Sequence, residues 1–67
     1  MQNWNFKGIE IDGDQFFLDE NGNEIKQSGQ CFTGTPIDAD VEAARRQSIF
    51  EYKFNRILKY VVIEQTN

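Results

Sequence analysis

Sixty-seven residues with a formal net charge of −4 make one small α+β domain spanning 1–67, and a chain this short buries only about 60% of the surface its unfolded form exposes. One cysteine, Cys31, and no histidine exclude an internal disulfide, a Cys/His zinc site and a Cys–His catalytic pair. The acidity argues against general affinity for nucleic acid, and the opening MQNWNFKG has no apolar segment of the secretory kind.

The first 26 residues carry two turn signals, Asp12-Gly13 and Asn21-Gly22, each flanked by apolar positions. They predict a three-stranded antiparallel β-meander over about 4–27. Trp4 and Phe6 share one parity and Ile9 and Ile11 the other, so a bulge at Lys7-Gly8 is expected to bring all four onto one face. Two-residue type I′ turns would then pair Ile9 with Phe16, Phe6 with Leu18, Leu18 with Ile25 and Phe17 with Lys26. The expected apolar wall is Trp4, Phe6, Ile9, Ile11, Phe16, Leu18 and Ile25.

After a connection over 27–34, Thr35-Pro36-Ile37-Asp38 signals a helix start: threonine as N-cap, proline at the first position, aspartate at the third. Asp38, Asp40 and Glu42 suit the positive end of the helix dipole. Ile37, Val41, Ala44, Ser48 and Tyr52 line one face and are expected to cover the sheet. Phe50, Phe54, Ile57, Leu58 and Val61 form a second stripe. With neither glycine nor proline to break it, one helix of roughly 25 residues is the favoured reading. The alternative ends the helix near Asn55 and makes 57–64 a fourth strand, because Tyr60-Val61-Val62-Ile63 is strongly β-prone.

Candidate chemistry is sparse. Cys31 has no base to form a thiolate, and its simpler role is a small apolar filler. Asp19-x-Asn21-x-Asn23 echoes the first ligands of a calcium loop, but Glu24 stands where glycine is required and Gln30 where a bidentate glutamate belongs. Asp12 and Asp14 flank a turn with no pocket to raise a carboxyl pKa, so acid–base catalysis is not expected. No motif calls for a cofactor.

Three binding surfaces follow. An acidic edge of Asp12, Asp14, Asp19, Glu20 and Glu24 could meet a basic groove on a partner, or hold a metal at the turns. The stripe Phe50, Phe54, Ile57, Leu58 and Val61 could contact a partner or form a homodimer, since uncovered apolar patches mark interaction surfaces, or it could be the second wall of the monomer core. Arg45, Arg46, Lys53, Arg56 and Lys59, near Tyr52 and Tyr60, could contact nucleic acid, although bases toward a helix C-terminus are commonly a solvated face.

The run Phe17-Leu18-Asp19-Glu20-Asn21-Gly22-Asn23 resembles hairpins of choline-binding cell-wall repeats over those few residues, and no second copy follows. In size, acidity and sheet-plus-helix layout the chain is similar to many small phage-encoded proteins, including anti-CRISPR and host RNA-polymerase inhibitors. That likeness implies no residue roles. The expectation is therefore a non-enzymatic, cytoplasmic protein-binding module, an inhibitor or accessory subunit, with no membrane segment.

Overall fold

The computed structural model describes residues 2–26 and 32–66. Cys31, the expected apolar filler, and Gln30, at the place of the missing calcium-loop glutamate, lie outside them. The order is β1 (Gln2–Glu10), β2 (Gln15–Leu18), β3 (Glu24–Ile25), β4 (Phe32–Gly34), α1 (Pro36–Phe54) and β5 (Leu58–Thr66). The fold is α+β, with an antiparallel meander β1–β3 and a helix across one face of the sheet. Strand β1 is the hub. One of its edges meets β2 along Phe6–Ile9 and β4 along Gln2–Trp4, while β5 pairs with it from Asn3 to Glu10.

The two hairpins share one device, which differs from the expected two-residue turn. Gly13 N–H donates to the Glu10 carbonyl at 2.9 Å and Glu10 N–H to the Asp14 carbonyl at 3.0 Å. Gly22 and Asp19 repeat this with Asp19 and Asn23 at 3.1 and 3.0 Å. Each loop therefore has three residues and closes with a glycine at positive φ, +94° at Gly13 and +74° at Gly22, the usual route of a turn that ends in a glycine bulge.

One added loop residue moves the pairing by one and exchanges the faces. Ile9 pairs with Gln15, Gly8 with Phe16, and Phe17 with Ile25; only the Phe6–Leu18 pair stands as expected. There is no bulge at Gly8. Glycine is needed there because a Cβ would come within 3.0 Å of the Phe16 ring and 3.1 Å of Leu58. Ile9, Ile11 and Ile25 leave the expected wall: Ile9 and Ile25 are half-buried and Ile11 is 90% exposed.

The core lies between α1 and one face of the sheet: Phe6, Phe16 and Leu18 from the meander, Ala39, Ala43 and Phe50 from the helix, and Leu58 from β5, with Trp4, Phe32, Val61 and Ile63 packed around them. The Phe16 and Phe50 rings stack at 5.0 Å. Two arginines close its ends. Arg46, 1% exposed, lies 4.3 Å from the Phe6 ring centre, and Arg56 sits 5.5 and 5.0 Å from the Phe16 and Phe50 rings. Such cation–ring contacts add to the apolar packing.

The helix starts as the sequence predicts. Thr35 Oγ1 accepts from Asp38 N–H, and the Asp38 carboxylate accepts from Thr35 N–H, completing a capping box. Its end does not follow the favoured reading. Asn55 takes the left-handed conformation at φ 52°, ψ 35°, its N–H still bonded to Glu51. Asparagine is among the few residues that adopt this cap readily in place of glycine. The chain then reverses into β5, which realises the fourth-strand alternative. The buried helix face is also different: Ala39, Ala43, Arg46 and Phe50 point inward.

Candidate functional site

Because the helix packs through Ala39, Ala43, Arg46 and Phe50, the stripe half a turn away faces outward. Positions 37, 41, 44, 48 and 52 fall within about 80° of one another on a helix wheel. These are Ile37, Val41, Ala44, Ser48 and Tyr52, the face the sequence assigned to the sheet. All five are exposed; Ile37 is 76%, Val41 66% and Tyr52 93% accessible. Small alanines on the inner face let the helix approach the sheet closely. The larger apolar residues have nothing over them among the described residues. Arg45, Asp38, Asp40 and Glu51 lie along the flanks of the stripe.

A second exposed apolar feature lies where the first hairpin meets the helix end. Ile11 and Ile57, 90% and 79% exposed, flank an open groove of about 560 Å³ completed by Glu10, Asp12, Asn55, Arg56 and Lys59. Arg56 Nε donates to Glu10 Oε1 at 2.7 Å and its guanidinium reaches Glu24 at 3.6 Å. This pairing holds the Glu10 carboxyl below its ordinary range and raises the Arg56 guanidinium above its own. The groove lining thus includes an internally neutralised Glu10–Arg56 pair.

The expected acidic edge is not continuous. Asp12 and Asp14 lie on the β1–β2 loop; Asp19 and Glu20 belong to the β2–β3 loop, at the opposite end of β2. Glu24 pairs with Arg56. Asp19 Oδ1 accepts from the N–H groups of Asn21 and Asn23 at 2.9 and 2.8 Å. Burial pushes its carboxyl up, but these N–H groups more than offset that and leave it lowered. Those bonds are turn chemistry. The carboxylates that do converge are Glu10, Asp12 and Asp14, with oxygens within 4.8 Å. Of these, Glu10 is held by Arg56 and Asp12 Oδ1 accepts from Asp14 N–H at 3.1 Å.

The second loop is docked on the helix. Arg45 donates to the Glu20 carbonyl at 2.8 Å and Lys53 to Asn23 Oδ1 at 2.8 Å. Gly22 lies so close that a Cβ would meet Ile49 at 2.9 Å and the Phe50 nitrogen at 3.0 Å.

The basic set is dispersed as well. Arg45 and Arg46 both pair with Glu42, which holds that carboxyl low, mainly through the hydrogen bond from Arg45. Arg46 also donates to the Leu18 carbonyl at 3.2 Å. Lys59 is exposed beside the groove. A buried arginine serving as core material is not visible as such in a sequence, although the Glu42–Arg46 spacing shows the ion pair.

The second apolar stripe does not exist as a helical face. Phe50 and Leu58 are buried in the core, Val61 packs against it, and only Phe54 and Ile57 remain exposed, at 40% and 79%. They are separated by the reversal at Asn55. Among the described residues no helix is long and apolar enough to cross a membrane. No family model, curated protein or solved structure matches the chain.

Proposed function

We propose that this chain is a non-enzymatic protein-binding module, acting as an inhibitor or accessory subunit by laying its outer helix face on a larger protein. The observation that carries the reading is the exposed row of Ile37, Val41, Ala44, Ser48 and Tyr52 opposite the buried helix face. A helix offering anchors at i, i+4 and i+15 fits the recognition mode in which an amphipathic helix enters an apolar groove. Charged side chains beside the row suit the polar rim that surrounds such contacts. The lone cysteine is in keeping with an intracellular setting, and size and acidity are those of small phage-encoded inhibitors of host machinery.

A nucleic-acid surface has less support, since Arg45, Arg46 and Arg56 are committed to carboxylates. Binding partners captured from the native host with the wild-type chain should be lost with a Val41→Glu, Tyr52→Ser double variant that keeps its far-ultraviolet circular dichroism. Equal capture by both proteins would remove the outer helix face as the binding surface.

A further inference from the structure

Strand β5 runs for nine residues and pairs with β1 along one edge. No strand pairs with its other edge among the described residues. Tyr60-Val61-Val62-Ile63 contains no charge, proline or glycine, and Val61, Val62 and Ile63 are each half-buried. Such an edge is a template for another strand. We infer that a second copy of this chain occupies it, with β5 pairing antiparallel to its own equivalent about a two-fold axis at Val62.

Three observations favour a second copy. The first is register. A two-fold antiparallel pair keeps each face continuous, so only residues of the same face can oppose. Centring on Val62 sets Val61 against Ile63 of the copy and Val62 against itself. Moving the axis one residue toward the N-terminus sets Lys59 against Ile63, and one toward the C-terminus sets Val62 against Glu64. Among these three, the Val62 register alone sets the aliphatic triplet Val61–Ile63 wholly against itself, with Tyr60 then opposite Glu64 and Lys59 opposite Gln65.

The second is continuity of packing. Ile63 lies beside Phe6, which lies beside Leu18; Val61 lies beside Gly8, over which the Phe16 ring sits. The pairing therefore joins the row Leu18–Phe6–Ile63 to the row Val61–Gly8–Phe16 of the copy. On the other face Val62 lies beside Lys7, and Lys7 is ion-paired to Glu64.

The third is charge. The strand carries one base, Lys59, and one acid, Glu64. Two copies of net charge −4 can thus meet along a neutral strip with no like charges opposed. Small chains without disulfide or metal commonly gain stability by association. Strand pairing of this length buries little area, which places the dimer among weak, concentration-dependent ones.

The inference is independent of the outer helix face. Sedimentation velocity over a concentration series should show the mass rising from one chain to two. Val62→Glu sets a carboxylate beside Lys7 within one chain but against its equivalent across the axis. It should leave a folded monomer at every concentration. In a Cys31→Ser background, Val62→Cys should form a disulfide-linked dimer on mild oxidation, while Gln15→Cys should not. A wild-type chain that stays monomeric at its highest soluble concentration would overturn the pairing. So would a dimer unaffected by Val62→Glu, or one dispersed by Val41→Glu instead.

Discussion

At the scale of single residues, the glycines and one arginine do work that their neighbours cannot. Gly13 and Gly22 both adopt positive φ, but only Gly22 also abuts the helix, where a Cβ would lie 3.0 Å from the Phe50 nitrogen. Gly13→Ala should therefore cost about 1–2 kcal/mol, the price of left-handed backbone for a residue with a side chain. Gly22→Ala should cost clearly more, because backbone must also move. Urea titrations of the two variants measure the difference, and equal midpoints would show that the close approach is unimportant. Gly8→Ala tests the core rather than the backbone: its methyl meets Phe16 and Leu58, and overpacking of this kind costs about 1–3 kcal/mol. Arg46→Ala should lose roughly 2–3 kcal/mol, since it removes the buried guanidinium packed over Phe6 and leaves the Leu18 carbonyl without that donor.

At the scale of elements, the most local signals were legible in the sequence. The helix start at Thr35-Pro36-Ile37-Asp38 needs only four consecutive residues, and its capping box forms as read. The turns at Gly13 and Gly22 were equally plain. Register was not, because Asp-Gly and Asn-Gly fit loops of either two or three residues, and that single residue moves Ile9, Ile11 and Ile25 off the core face. The helix end was hidden for a related reason: Asn55 caps as glycine would, without the signal glycine gives. The buried helix face was disguised by Arg46, a charge amid Ala39, Ala43 and Phe50, so the more apolar stripe of Ile37, Val41 and Tyr52 looked like the inner one. That stripe became the candidate site only when the structure turned it outward. The Asn55 cap can be checked directly. Asn55→Gly should melt within about 1 kcal/mol of wild type, whereas Asn55→Val, β-branched in left-handed backbone, should lose more than that. Equal losses would mean that the reversal into β5 does not depend on this conformation.

At the scale of the whole molecule, one helix covers one face of a sheet; ion pairs link separate strands and loops, Arg56 to Glu10 and Glu24 and Lys7 to Glu64, while Arg45 and Arg46 pair with Glu42 within the helix. Four carboxyls with lowered pKa, Glu10, Asp19, Asp38 and Glu42, give stability its dependence on pH. Glu10 and Glu42 are lowered from 4.5, chiefly by hydrogen bonds from Arg56 and Arg45. Asp38 is lowered from 3.8 by Thr35, and Asp19 from the same value despite its burial, by the Asn23 and Asn21 N–H groups. A carboxyl with a lower pKa folded than unfolded binds more protons in the unfolded state. Its contribution is complete above the unfolded value and disappears as pH falls through the folded one. Every resolved carboxyl shift has this sign, and the chain has no histidine to titrate between pH 5 and 8. The melting temperature should thus be nearly flat from about pH 8 to pH 5 and fall steadily below about pH 4.5. Glu42→Gln removes one of the contributors while keeping the side chain's shape. It should lower the melting temperature at pH 7 more than at pH 3, so that the two curves converge in acid. A variant curve that stays parallel to wild type would show that the Glu42 charge, and with it the anchoring of Arg45 and Arg46, adds nothing to the fold.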